Sequence, residues 1–114
     1  MVRARKITDN MAIAAAHSLA DFAITRGMNK DKILPTMDET EVFAYEAAAV
    51  AMQAIADGVA RIEMTYEEAF EQALSEILDT RKLIHSLMES GFIQSPPQEI
   101  LNEVLGQVFA EYRK

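Results

Sequence analysis

The chain has 114 residues, half of them hydrophobic and a quarter charged, a mix that suits one small globular unit and argues against disorder. Its net charge of −7, from eleven Lys and Arg against eighteen Asp and Glu, argues against a nucleic-acid partner, whose binders normally concentrate positive charge. It contains no cysteine, so disulfides and thiolate metal sites are excluded, and its longest apolar runs, Met11 to Ala16 and Ala47 to Met52, fall far short of the ~20 residues that span a bilayer.

The N-terminus carries Arg3, Arg5 and Lys6 but no secretory apolar region, because Asp9 and Asn10 interrupt it. A cytoplasmic chain is expected, with the basic cluster as a solvated end or a surface facing another part of a larger protein. Thr8 or Asp9 can cap a first helix by accepting from an unpaired first-turn amide. Met11, Ala15, Leu19 and Phe22 then recur at helical spacing, with Ile13, Ala16 and Ala20 widening the stripe. Gly27 can adopt the left-handed conformation that stops the helix. Met28 to Met37 reads as a connector, since Pro35 biases Leu34 toward extended backbone.

Asp38 is the expected cap of a second helix, with Glu39 and Glu41 in its first turn. Val42, Tyr45, Ala49, Met52 and Ala56 are its expected buried face, and Gly58 its stop. The run Ala47-Ala48-Ala49 would let another helix approach closely. A third helix starts at Thr65-Tyr66-Glu67-Glu68, a capping box, and continues through Tyr66, Phe70, Leu74, Ile77, Leu78, Ile84 and Met88 to Gly91. Ser95-Pro96-Pro97-Gln98 opens a fourth, apolar along Ile100, Leu101, Val104, Leu105, Val108, Phe109 and Tyr112. The prediction is an all-α fold of about four helices in a small bundle.

Two blocks carry a family resemblance. VRARKITDNMAIAAAHSLA, Val2 to Ala20, and ILPTMDETEVFAYEAAAVAMQAIADGVARIEM, Ile33 to Met64, resemble the end of the nucleotide-binding domain of bacterial and archaeal malic enzymes in order and spacing. The resemblance covers about the first 70 residues; from Leu74 onward none is recognisable, and that part reads as an extension of a subgroup. The family's second block usually has Asp-Pro-Arg after the loop. Here Asp38 matches, whereas Glu39 and Thr40 replace the proline and arginine, so no role of that arginine passes to Thr40.

The resemblance implies a parent reaction, the oxidative decarboxylation of malate to pyruvate. It also implies NAD or NADP, a divalent Mg or Mn held by acidic residues, and a lysine and a tyrosine that move protons. Gly27, Gly58, Gly91 and Gly106 do not have the close spacing of a dinucleotide turn, and no residue matches a catalytic, cofactor-binding or metal motif of the family. The expected chain is therefore a non-catalytic C-terminal segment, 1–70 with a helical extension 71–114, whose partners are the remainder of the parent enzyme and a second copy. Met1 directly before VRAR suggests a truncated reading frame. The alternative is a free-standing helical interaction or dimerisation module.

Other residues invite chemistry and are weighed against it. His17 and Asp21 lie one turn apart, but a metal needs three or four converging ligands. His85 sits four residues from both Arg81 and Glu89, as in a surface ladder. Glu63, Glu67, Glu68, Glu71, Glu76 and Asp79 form an acidic stretch without the E-x-x-H of di-metal bundles, so a solvated face is expected. Tyr45 and Tyr66 lie on apolar stripes without a neighbouring lysine.

Overall fold

A computed structural model describes residues 1–94 and 97–112, with side chains through 110. Four helices follow in order: α1 (Asp9–Thr25), α2 (Thr40–Ala56), α3 (Tyr66–Glu89) and α4 (Gln98–Tyr112). The described residues contain no strand beyond one bridge pair, Asn29 with Lys32, so the fold is all-α as expected. The chain divides into two compact units, Met1–Thr80 and Arg81–Lys114.

Local chemistry sets the helix ends of the first unit. Thr8 caps α1, its hydroxyl accepting from the Met11 amide at 3.2 Å, and Gly27 follows the helix with φ 91°. α2 closes in a Schellman turn. The Gly58 amide (φ 66°) donates to Ile55 and the Val59 amide to Ala54, at 2.9 and 3.0 Å, while Val59 and Ala54 share the core cluster beneath. At α3 the capping box is reciprocal: the Glu68 amide donates to the Thr65 hydroxyl at 3.2 Å, and the Thr65 amide to the Glu68 carboxylate at 2.8 Å. Thr65→Ala is expected to cost about 1 kcal/mol, measurable by urea unfolding. Superimposable parent and variant curves would show that the box contributes nothing.

Asp38 is not the cap of α2. The helix begins at Thr40, and the preceding Glu39 makes no capping bond because its carboxylate is engaged by Arg26, Lys32 and Thr36.

α1 and α2 pack closely, and their terminal contacts show them antiparallel: Thr8 at the start of α1 bonds Asp57 beyond the end of α2, and Arg26 meets Glu39 at the other end. The inward face of α2 is Val42, Ala44, Ala48, Ala51 and Ala54, with the four alanines 0–3% exposed. This corrects the expected face. Tyr45, Ala49, Met52 and Ala56 are half-buried or exposed, since the close neighbours of α2 leave room for methyl groups but not for a tyrosine ring.

Against Ala48, Ala51 and Ala54 lie Met11 of α1, Val2 and Ala69, with Phe70 and Met64 partly buried beside them. The N-terminal arm runs along the exit of α2. Arg5 donates to Val59, and Arg61 and Ile62 donate to Val2, at 2.9 to 3.2 Å. Within α1, Met11 and Ala23 are buried and Ala15, Leu19 and Phe22 half-buried, whereas Ile13, Ala16 and Ala20 face outward.

In α3 only Ala69 and Ala73 are buried. Phe70, Leu74 and Ile77 are half-buried, while Tyr66, Leu78, Ile84 and Met88 are exposed, so the long stripe is largely uncovered. The second unit contains the end of α3, the turn at Gly91 (φ 77°) and α4. On α4, Ile100, Leu101, Val104, Leu105, Val108 and Phe109 are 36–64% exposed. Ser95 and Pro96 of the expected α4 start lie outside the described residues, as does the side chain of Tyr112.

Candidate functional site

Antiparallel packing of α1 and α2 leaves an open groove of about 1020 Å³ along their outer side. His17 and Asp21 line it from α1, Glu41, Tyr45 and Gln53 from α2, and Tyr66 from the start of α3. The structure thus brings His17, Asp21 and Tyr45 to one surface, which spacing within single helices did not reveal. His85 and Glu89 lie elsewhere, 3.2 Å apart and exposed on α3.

A polar cluster closes each end of the helix pair. Near the start of α1, the Asp57 carboxylate accepts from the Thr8 hydroxyl at 2.5 Å, Gln53 at 2.8 Å and Asn10 at 3.1 Å. These three bonds, led by Thr8, hold Asp57 below the usual carboxylate range. Its charge lies where the amides of α1 begin, which the helix dipole favours. At the far end Arg26 follows α1 and meets Glu39 ahead of α2, and there each charge matches its own helix end. Arg26 also donates to the Leu34 carbonyl at 3.2 Å, and Thr36 donates its amide to Glu39 at 2.9 Å, so one carboxylate gathers the connector. Sequence reasoning missed both clusters; they join residues 49 and 13 positions apart, beyond any local pattern.

Arg26, followed by the Thr36 amide, lowers the Glu39 pKa to about 2. Its folded value lies below its unfolded one, so its contribution is fully present above about pH 4.5 and is lost as the pH falls toward 2. Thermal midpoints measured across that range should fall less steeply in Glu39→Gln than in the parent. Equal slopes would contradict a role for this cluster in acid stability.

Rings line the middle. Phe22 and Tyr45 lie 5.7 Å apart between centroids, and Tyr45 and Phe70 4.7 Å apart at 50°, an aromatic chain from α1 through α2 to α3. Beside it Tyr45, Tyr66 and Phe70 border a smaller, open hollow of about 200 Å³, edged by Glu67 and Glu71 of the acidic stretch. Burial, then the proximity of Tyr45 and Glu67, raises the Tyr66 pKa above that of an ordinary tyrosine.

A pyrophosphate is held where glycines open a helix, at the positive end of its dipole. Here Gly27, Gly58 and Gly91 have positive φ just after helices end, where carbonyls point outward. Among the described residues no three His, Asp or Glu side chains converge for a metal.

No protein-family profile matches the sequence. It is 44% identical over 59 residues to the NAD-dependent malic enzyme of Psychromonas ingrahamii, covering 51% of this chain and 10% of that one. The crystal structure of the Entamoeba histolytica malic enzyme matches 96% of this chain and 23% of its own, with a TM-score of 0.87 and 50% identity. That of the malic enzyme from Pyrococcus horikoshii matches 78% and 20%, with a TM-score of 0.70 and 36% identity. The chain thus spans between a tenth and a quarter of the length of these relatives. The Entamoeba match reaches well beyond the first 70 residues, so the helical extension also has a counterpart there. In sequence and in backbone course alike, the chain corresponds to a segment of a malic enzyme.

Proposed function

We propose that the chain is the C-terminal helical part of a malic-enzyme-like oxidoreductase. The parent would decarboxylate malate oxidatively to pyruvate with NAD or NADP and a divalent Mg or Mn. This segment would supply packing surface rather than reacting groups. The observation that carries the reading is 50% identity over nearly the whole chain to one stretch of the Entamoeba enzyme. Residues 1–70 would pack on the nucleotide-binding part, and 71–114 on them or on a second subunit, in a cytoplasmic homodimer.

Two measurements test this. Grafted in place of the matching stretch of the Entamoeba enzyme, the chain should leave a soluble enzyme with malate-dependent reduction of the nicotinamide. A folded chimaera without that activity would count against the reading. Alone, the 114-residue chain should show neither that activity nor saturable dinucleotide binding by calorimetry; micromolar binding would place a cofactor site within it. The exposed apolar side chains of α4 favour a second reading, a free-standing dimerisation module. Failure of the chimaera together with a stable dimer of the isolated chain would select it.

A further inference from the structure

We propose that the hollow lined by Tyr45, Tyr66 and Phe70, with Glu67 and Glu71 at its edge, binds an organic cation of the alkylammonium or guanidinium type. Three aromatic rings converge on one small space, and a cation is attracted to the negative face of such rings when held within about 6 Å. Tyr45 and Phe70 pack against each other at 4.7 Å with a 50° tilt. Tyr45 is 38% exposed and Tyr66 36%, which leaves both open to a ligand.

Charge distinguishes this hollow from ordinary packing. Neither Glu67 nor Glu71 forms an ion pair among the described residues, and neither do Asp21 and Glu41 in the adjoining groove, which shares Tyr45 and Tyr66 with the hollow. Among the described residues, the guanidinium that lines that groove is Arg26, which is already held by Glu39. The hollow therefore has two carboxylates without an ion pair beside its rings, and the groove next to it two more, a field that concentrates cations.

The test is a titration of the 114-residue chain with tetramethylammonium chloride, followed by proton NMR of its aromatic rings, with tert-butanol as a neutral counterpart of similar shape. The ring signals of Tyr45, Tyr66 and Phe70 should move saturably with the cation and not with the alcohol. Tyr66→Leu, which keeps apolar volume at a partly exposed position, should weaken binding about tenfold. Glu67→Gln with Glu71→Gln should also weaken it. An equal response to the alcohol, an unaltered affinity in Tyr66→Leu, or no movement would overturn the proposal. So would shifts at Glu76 and Glu89 matching those in the hollow, which would mean diffuse counter-ion binding. A peptide carrying arginine, compared with its citrulline form and with free N-methylguanidinium, separates the sources of the cation. Binding at least tenfold tighter than the free ion assigns a protein side chain; equal binding assigns a small molecule.

Discussion

Ala48→Leu is expected to lower the unfolding free energy by about 2–3 kcal/mol, toward the upper end of the usual cost of overpacking a filled core. Ala48 is fully buried in the middle of α2, in one cluster with Met11, Ala51, Ala54 and Ala69. Three further carbons there have no cavity to occupy. Either α1 and the start of α3 move away, losing contacts along the whole seam, or the leucine takes a strained rotamer. Ala56→Leu, on the exposed side of the same helix, adds the same atoms where solvent receives them and should stay within about 0.5 kcal/mol of the parent. Urea unfolding of both variants at unchanged slope checks this. Equal losses would mean that helix propensity, not packing, governs the substitution.

The second large effect concerns association. Leu105→Glu is expected to raise the dissociation constant of the proposed dimer roughly a hundredfold, the equivalent of about 2.7 kcal/mol. Leu101, Leu105 and Val108 recur along α4 at helical spacing, and each is 36–48% exposed. Such a stripe is usually covered in solution, and a twofold axis through it is the commonest closed way to do so. A carboxylate at its centre would have to be desolvated without a partner. Sedimentation equilibrium showing a monomeric parent at micromolar concentration would refute the dimer. A parent and variant that dimerise equally would move the interface to another surface, such as the alanine-rich α2.

Helix ends were legible because they depend on a few adjacent residues. Thr8, Gly27, Gly58, Gly91 and the pair Thr65 and Glu68 act as their chemistry requires. The rotation of α2 was not legible. Apart from Thr40, Glu41, Glu46 and Gln53 the helix is apolar all round, so periodicity selects no face, and the choice fell to the space left by neighbouring chain. Asp38 misled because it has the chemistry of a cap, whereas Glu39 is drawn into a cluster with Arg26 that only the folded hairpin creates. The groove needed two helices at once: His17 and Tyr45 are on separate elements, and nothing in the spacing of either announces the other.

The two polar clusters also imply an order of assembly. Arg26 and Glu39 are separated by 13 residues, whereas Thr8 and Asp57 are separated by 49, and the entropy lost on joining two points rises with the logarithm of the loop between them. The short loop therefore closes first, and α1 and α2 zip away from the connector toward Asp57. The bonds between Val2 and Arg61 join still more distant points and depend on the turn at Gly58, so the N-terminal arm docks last. By the same logic the arm is the first part to open when the protein breathes, and its amides, together with those of Arg61 and Ile62, should exchange with solvent ahead of the helix interiors.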